Sequence, residues 1–242
     1  ADEAFLAAAE LDLLIVFGWQ RLIPPAVVAS ISNIYGVHGG PEKPPRCRGR
    51  AVFNWSLLMG LERFDMYLFK IDVGVDDGDL LYLEEFEIRP TDDICTLYHK
   101  NCVVSSRMFG QLAADMRDGK PLRLQAQDEG EPTYLPKRTP EDGEIRWQDS
   151  AADIENLIRA VTRPYPGAYG YLEGTQMLVW QGHVFDEKIV YPDAMPGEIV
   201  DVFPNGHFVV KVGEGTLYVR DYESTTDVVK GNIFEDREIP VR

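Results

Sequence analysis

The chain has 242 residues, 24 of them Lys or Arg and 40 Asp or Glu, so its net charge is −16 and its pI is near 4.6. Hydrophobic residues make up 45 % of it, which is ordinary for a globular protein and excludes a mostly disordered chain. No apolar run reaches the ~18 residues that a membrane span needs, and the first residues lack the basic start of a secretion signal. The acidic balance disfavours a nucleic-acid partner, because phosphate binding draws on clusters of Lys and Arg.

The three cysteines, Cys47, Cys95 and Cys102, are odd in number and lack a Cys-x-x-Cys spacing. Such a set is typical of reduced thiols in an intracellular protein and gives no sign of a zinc site. We therefore expect a cytoplasmic protein without a bound metal.

The first 120 residues show the pattern of an α/β fold. The chain opens like the end of a helix, and the apolar run 11–17 then predicts a strand buried on both faces, as in a parallel sheet. A helix is predicted from a cap at Thr91 to Gly119, with apolar residues recurring on one face. Further strands are predicted over 31–37, 66–71 and 80–87.

The second part of the chain has a different character. Residues 125–147 are polar and rich in proline and charge, which predicts a long surface connection. Ser150 and Asp153 form a capping box in front of a helix that stops before Pro164. Short strands between Gly, Pro and Asn turns follow, over 177–180, 197–203, 207–212 and 216–219.

We interpret the chain as an α/β domain over 1–150, a connecting helix and loop over 151–175, and an antiparallel β domain over 176–242. An α/β sheet normally begins with its own first strand and phosphate-type loop, and neither precedes the opening helix. Since one βαβ unit takes ~30 residues, we expect up to two such units ahead of this chain in the full protein.

Two loops carry the residue types of acid–base chemistry. One spans His38–Arg50 and the other spans Asp72–Asp79, and each follows a predicted strand. Ligands of α/β proteins bind where strands end, so a His and an Asp bordered by glycines at that edge predict an acid–base pair. The alternatives are a histidine whose polar atoms are satisfied within its loop, a plain Asp-Gly turn and a calcium loop, which would need a glutamate at its twelfth position.

Four stretches resemble, in order, the motifs of the formyltransferase family. The run from Gly36 to Trp55, G-V-H-G…P-R-C-R-G-R-A-V-F-N-W, is similar to the family's N-L-H-G-S-L-L-P-x-Y-R-G-R-A-P-x-N-W. Residues 71–81 resemble M-D-x-G-I-D-T-G-D-I-I, and residues 133–147 and 156–168 are similar to two further stretches. The family includes methionyl-tRNA formyltransferase and the sugar N-formyltransferases.

The resemblance implies a Rossmann-like catalytic domain, with its second half present, followed by a small OB-like antiparallel β-barrel. It also implies 10-formyltetrahydrofolate as the formyl donor. Of the family's catalytic Asn, His and Asp, the His falls on His38 and the Asp on Asp76. His38 would then stabilise the negative formyl oxygen, while Asp76 would orient His38, raise its pKa and help to move a proton.

The same resemblance implies the folate contacts around this pair. The folate contacts that we predict are Gln20, Arg21, Leu22, Ile23, Asp76 and Asp79. The predicted substrate contacts are Arg46, Arg48, Arg50 and Trp55, since arginine suits bidentate phosphate binding. For the arginines, bracing the fold through carboxylates is the equal alternative. The chain departs from the motif at Gly36, where the family has its Asn, and by two extra residues between His38 and Pro45.

The function that we predict is formyl transfer from 10-formyltetrahydrofolate to the amine of a nucleotide-linked amino sugar. Residues 194–242 hold nine acidic and five basic side chains, whereas a domain that grips tRNA should present a basic face. The alternatives are a methionyl-tRNA formyltransferase and a homologue that has lost or altered the transfer, because Gly36 offers no amide. We expect no nucleic acid and no membrane span, and the sequence leaves a homodimer open.

Overall fold

A computed structural model describes residues 2–19, 21–128, 130–186, 188–235 and 237. They form two compact units. The first unit comprises the chain up to residue 56, 61–89 and 97–137, and the second comprises 57–60, 90–96 and the chain from 138 onward. The domain bounds expected from the sequence, 1–150, 151–175 and 176–242, stay a prediction beside this division.

The first unit is built on a four-stranded mixed sheet. Its strands, in spatial order, are β1 (Leu14–Val16), β2 (Ile34–Gly40), β4 (Arg63–Lys70) and β5 (Leu80–Glu87). A separate short parallel pair joins β3 (Arg48–Gly49) to β6 (Tyr134–Leu135). β1 runs parallel to β2, whereas the pairs β2–β4 and β4–β5 are antiparallel. The α/β class expected from the sequence is confirmed.

The first strand differs from its prediction. The run 11–17 predicts a strand buried on both faces, but β1 has three residues and Ile15 is 36 % exposed. The other two side chains of β1 pack on an apolar cluster with the helices α1 (Asp2–Ala8) and α2 (Pro25–Ser30). β1 is an edge strand of the sheet. Its side chains pack on the cluster from one side only, and Ile15 on the other side stays partly exposed.

The strand β4 is the buried centre of the sheet. Six of its eight side chains, Phe64 to Phe69, are 5 % exposed or less. The helix α3 (Val52–Leu58) stacks Phe53 on Phe64, with 4.5 Å between the ring centroids.

The long helix α4 (Ile94–Arg117) begins at a different cap from the predicted one. Asp93, not Thr91, closes its first turn: the Thr96 N–H donates to Asp93 Oδ1 and the Asp93 N–H donates to Thr96 Oγ1, both at 2.8 Å. The predicted apolar face is present, with buried residues at Ile94, Leu97, Val104, Met108 and Leu112. None of the helices in the described ranges is long and apolar enough to cross a membrane.

The second unit is a five-stranded antiparallel sheet with one helix. Its strands are β7 (Ala168–Leu172), β8 (Thr175–Val184), β9 (Ile199–Val202), β10 (Phe208–Lys211) and β11 (Thr216–Glu223), in the order β7, β8, β11, β10, β9. A 3₁₀ turn (Pro140–Gly143) and α5 (Ala151–Val161) precede the sheet. Ser150 Oγ accepts the Asp153 N–H at 3.1 Å, which confirms the predicted cap. The four strands predicted here correspond to β8–β11, and β7 lies in the range predicted as a connection.

The stretch 125–147 is not the surface connection that its polarity predicts. Ile145 and Trp147 are 3 % and 2 % exposed, and the Trp147 ring stacks on Phe234 with 4.2 Å between centroids. Gly170 leaves room for the indole, since an added Cβ there would lie 2.9 Å from Trp147 Cζ2. A few apolar side chains therefore anchor a segment that is polar on average.

Within the described residues, the second sheet does not close into the barrel that the resemblance implies. β7 and β9 are its two edge strands, and no ladder of hydrogen bonds joins them directly. The segment 231–235 instead bonds beside both edges. The Phe234 N–H donates to Gly197 O and the Glu235 N–H donates to Tyr171 O, each at 2.9 Å.

Gly39 follows His38 at a point where the Phe64 ring crosses β2. A Cβ added at Gly39 would overlap Phe64 Cε1 and lie 2.5 Å from the carbonyl oxygen of Asp65. The Phe64 ring cannot withdraw freely, because it stacks on both Phe53 and Phe86. Packing therefore requires the glycine of the His-Gly pair.

Gly39→Ala should lower the free energy of unfolding by about 1–3 kcal/mol, because the added methyl overpacks a filled site. The matched control is Gly110→Ala on α4, where nothing lies within 4 Å of an added Cβ. That control should gain roughly 0.5–1 kcal/mol, since alanine is the better helix residue. Denaturant unfolding measures both variants, and a Gly39→Ala protein as stable as the wild type would contradict the packing argument.

Candidate active site

The structure brings His38 and Asp76 together by a route that the sequence does not suggest. His38 lies in β2, and Asp76 lies in the loop 71–79 after β4, which we call the acidic loop. From the sequence we expect both residues to follow strands at one edge of the sheet, but β2 and β4 are antiparallel and end at opposite edges. The acidic loop folds back instead, so that Asp76 Oδ2 lies 3.7 Å from His38 Nε2.

The return of the acidic loop depends on its backbone. Asp76 has a φ of +49°, the left-handed region that asparagine, aspartate and glycine tolerate best. Gly78 passes so close to β4 that an added Cβ would overlap the Lys70 carbonyl oxygen, and the Lys70 N–H donates to Asp79 O at 2.8 Å. The Gly49 N–H donates to Asp76 Oδ2 at 3.2 Å. The Asp-x-Gly-Asp pattern therefore sets the shape of this loop as well as its charge.

Arg48 and Gln127 brace the acidic loop. Gln127 Nε2 donates to the carbonyl oxygens of Asp76 and Gly78, both at 2.8 Å, and Gln127 Oε1 accepts from Arg48 Nη2 at 2.6 Å. Arg48 is 8 % exposed. Arg48 is thus a brace that acts through the Gln127 amide and not, as in the alternative expected from the sequence, through carboxylates. Sequence reasoning missed Gln127, because a glutamine 51 residues from Asp76 in a polar stretch carries no local signal.

Burial governs the protonation of His38. Its pKa is lowered from the ordinary histidine value, chiefly because burial removes water from the charged ring. The charge of Asp76 and a hydrogen bond to the Cys47 backbone act in the opposite direction and are smaller. The contribution expected of Asp76 is present, but burial outweighs it. Nε2 has no hydrogen-bond partner among the described residues, so the ring meets Cys47 through Nδ1.

Tyr67 lies directly opposite His38 in the β2–β4 pair. Its side chain is fully buried, and its ring meets the His38 ring edge-on with 5.7 Å between centroids. Its hydroxyl has no hydrogen-bond partner in the described part of the chain. Burial and the charge of Asp76 raise the pKa of Tyr67, so the phenol keeps its proton at neutral pH. Sequence reasoning missed this residue because an aromatic residue in a buried strand usually only packs.

Gly36 faces the same side of β2 as His38, two residues away. An ideal Cβ at Gly36 would lie 2.8 Å from Ile71 Cδ1 and 3.5 Å from Val16 O. A larger side chain at this position would need Ile71 to move. The glycine that replaces the family's Asn therefore fits the space that Ile71 leaves at this position.

The loop after β1 leaves the sheet beside the residues that precede His38, because β1 and β2 are parallel and pair Val16 with Gly36. Three of the predicted folate contacts, Arg21, Leu22 and Asp79, are exposed. Ile23 packs on the apolar cluster that also contacts β1. Gln20 lies outside the described residues. Nowhere in the described ranges do three His, Cys, Asp or Glu side chains gather as a metal site requires.

The predicted substrate contacts other than Arg48 lie nearer the surface. Arg46 is exposed and pairs with Glu42 at 3.2 Å, and Arg50 is exposed as well. Trp55 is half-buried, and its Nε1 donates to Pro136 O at 3.0 Å. The structure therefore unites His38, Asp76 and Arg48 in one cluster, and the ligand contacts of all predicted residues stay predictions.

Two family descriptions cover most of the chain. Residues 2–109 match "Formyl transferase", and residues 137–229 match "Formyl transferase, C-terminal domain". The chain belongs to the formyl transferase family. The two matched ranges fall mainly in the α/β first unit and in the antiparallel second unit, respectively.

Solved structures share the fold of this formyl transferase family member. HypX from Aquifex aeolicus, in complex with tetrahydrofolic acid, is 19 % identical, with a TM-score of 0.66 over 93 % of this chain and 37 % of HypX. An N-formyltransferase from Helicobacter canadensis, in complex with folinic acid and dTDP-3-aminofucose, is 16 % identical, with a TM-score of 0.69 and coverage of 90 % and 77 %. Methionyl-tRNA formyltransferase from Clostridium thermocellum is 20 % identical, with a TM-score of 0.57 and coverage of 73 % and 74 %. The chain spans less than half the length of HypX.

Asp76→Asn should lower the pKa of His38 further, because the substitution removes the negative charge that stabilises the protonated ring. The chain has four histidines, so NMR titration of the imidazole nitrogens can follow each one. Asp79→Asn is the control, since its exposed side chain lies in the same loop and does not act on His38. A raised His38 pKa in Asp76→Asn would refute this account of the pair.

Gln127→Leu should lower the free energy of unfolding by about 1–3 kcal/mol, because partly buried groups of Arg48 and the acidic loop lose their partner. Gln125→Leu is the matched control, two residues away with an exposed side chain. Urea unfolding compares the two proteins. Equal stability would mean that the loop does not need the brace.

Proposed function

We propose that this protein transfers a formyl group from 10-formyltetrahydrofolate to the amine of a nucleotide-linked amino sugar. The observation that carries the proposal is the His38–Asp76 pair, a buried imidazole 3.7 Å from a carboxylate that the acidic loop holds in place. Membership of the formyl transferase family supports formyl transfer as the class of reaction.

The first requirement of this reaction is a base for the attacking amine. The amine loses a proton as its lone pair forms a bond to the formyl carbon. His38 suits this role, because its lowered pKa keeps the ring neutral near pH 7 and leaves Nε2 able to accept the proton. Asp76 then stabilises the protonated ring. This part in the reaction differs from the oxygen-stabilising one that the resemblance implies for His38.

The loop after β1 suits the folate part of the donor. Trp19 and Leu22 are 60 % and 59 % exposed there, and such apolar side chains suit a flat pterin ring. Arg21 beside them suits the carboxylates of the glutamate tail. The donor supplies an activated formyl carbon. Both HypX and the Helicobacter canadensis enzyme are described in complex with folates, which supports the same class of donor here.

Charge favours a small acceptor over tRNA. Residues 137–229 hold 16 acidic and eight basic side chains, a net charge of −8, which opposes the approach of a nucleic-acid backbone. A nucleotide sugar carries two phosphate groups, which a few arginines can bind. Arg46 and Arg50 flank the buried Arg48, and we assign them to this diphosphate. The dTDP-3-aminofucose in the Helicobacter canadensis complex is consistent with such an acceptor.

A second candidate function is folate binding without transfer. Gly36 offers no amide at the position where the family motif has its catalytic Asn, and the terminal methyl of Ile71 occupies the space for one. Loss of one oxyanion donor costs about 10²–10³ in rate. A protein that keeps the folate site but has too little oxyanion stabilisation would bind the donor and form no product.

The test is a transfer assay on the full-length protein with 10-formyltetrahydrofolate and a panel of dTDP-, UDP- and GDP-linked amino sugars. Mass spectrometry reads the gain of one formyl group. His38→Ala should lower kcat by at least about 10², since a positioned base contributes 10²–10⁴. His99→Ala, an exposed histidine on α4, is the control and should keep full activity.

Each result of this assay decides between the candidates. Product from methionyl initiator tRNA but from no sugar would replace the proposed acceptor. Calorimetric binding of a stable formyl-folate analogue without product from any acceptor would favour the second candidate. An unchanged kcat in His38→Ala would reject His38 as the base, and the absence of folate binding would reject both candidates.

A further inference from the structure

Two buried polar atoms near Asp76, His38 Nε2 and Tyr67 Oη, have no hydrogen-bond partner among the described residues. The proposed function uses the first as a proton acceptor and leaves the second without a role. A buried hydroxyl without a partner lowers stability, because the lost contact with water is not replaced. A ligand atom that completes this hydrogen bond would explain why the hydroxyl is there.

The proposed reaction creates a charge that needs such a donor. When the amine attacks, negative charge develops on the formyl oxygen. His38 cannot donate to that oxygen while its Nε2 accepts the amine proton. Gly36 has no side chain to donate, and Ile71 occupies the space beside it.

We infer that Tyr67 is a catalytic residue, whose hydroxyl donates a hydrogen bond to the formyl oxygen as its negative charge develops. The inference rests on the proposed function. As the amine lone pair forms the C–N bond, the C=O π pair moves to the oxygen, where Tyr67 binds it without losing its own proton. His38 Nε2 takes the amine proton. When the C=O bond re-forms, the bond to folate N10 breaks and His38 returns the proton to N10.

The position of Tyr67 suits this role. It pairs with His38 across neighbouring strands, so the two side chains leave the same face of the sheet, and their rings are in edge contact at 5.7 Å. A base and an oxyanion donor on one face can reach the two substituents of one formyl carbon. The phenol also stays protonated at neutral pH, as a donor must.

Arg48 Nε is the other buried donor without a partner in this cluster. Its guanidinium is already held through Nη2 by Gln127, which ties it to the backbone of the acidic loop. Tyr67 has no such structural tie among the described residues. We therefore assign the brace to Arg48 and the oxyanion contact to Tyr67.

The test compares Tyr67→Phe with Tyr35→Phe, a second buried tyrosine in the same sheet whose side chain leaves the opposite face of β2. Tyr67→Phe should lower kcat by about 10²–10³ and change KM by no more than a few-fold, since the hydrogen bond strengthens only as charge develops. Its unfolding midpoint should stay equal or rise, because the substitution removes an unpartnered hydroxyl. Tyr35→Phe should keep its kcat.

A second measurement does not depend on turnover. Isotope-edited infrared spectroscopy of a ¹³C-formyl analogue of 10-formyltetrahydrofolate, bound to each protein, reports the hydrogen bonding of the formyl oxygen. Its C=O stretch should move to higher wavenumber in Tyr67→Phe and not in Tyr35→Phe.

The possible failures are distinguishable. An active wild type with unchanged kcat and an unchanged formyl stretch in Tyr67→Phe would overturn this inference alone. A loss of kcat that only follows a loss of stability would assign Tyr67 a structural role and overturn it as well. A wild type that neither binds the analogue nor transfers a formyl group would overturn the proposed function together with the inference.

Discussion

The antiparallel pairing of β2 with β4 fixes where the groups of the candidate active site lie. This register puts Tyr67 opposite His38 and makes β4 end far from the edge where β2 ends. The chain that follows must therefore turn back before Asp76 can reach the imidazole. The return is possible because Gly78 can lie against a β4 carbonyl and because Gln127 holds two backbone oxygens of the acidic loop. This one strand pairing therefore requires a glycine at position 78, an aspartate with left-handed backbone at position 76 and the partly buried side-chain amide of Gln127.

Burial and a nearby charge have opposite effects on the pKa of His38. The chain is strongly acidic, yet the charge of Asp76 does not outweigh the loss of water around the His38 ring. A neutral imidazole at neutral pH is therefore a property of the packing, while Asp76 becomes important once the ring takes up a proton. The same lack of water keeps Tyr67 protonated. A neutral imidazole that can accept a proton and a phenol that keeps its own proton can therefore lie side by side, as His38 and Tyr67 do.

Local patterns in the sequence predict most of the helices and strands and single out His38 and Asp76 as a candidate pair. The Ser150 capping box, the apolar face of α4 and the motif that contains His38 each depend on neighbours in the chain. Features that depend on distant residues were out of reach. The polar stretch 125–147 contributes Gln127 to the acidic loop and buries Trp147 under Gly170, and neither contact leaves a mark on local composition. The lowered pKa of His38 likewise follows from the burial of its ring, which local sequence patterns do not reveal.

The segment 231–235 has a consequence for the second unit beyond its packing. An edge strand presents unpaired N–H and C=O groups, to which an extended segment of another chain can add. Here one stretch of backbone bonds beside both edges of the sheet, through Gly197 and Tyr171. Each edge is therefore partly shielded from strand addition, and the shielding of the two edges is linked. If this stretch detached, both edges would become more open to intermolecular pairing at once, and on β7 the bond from the Ile145 N–H to Tyr169 O would still cover part of the edge.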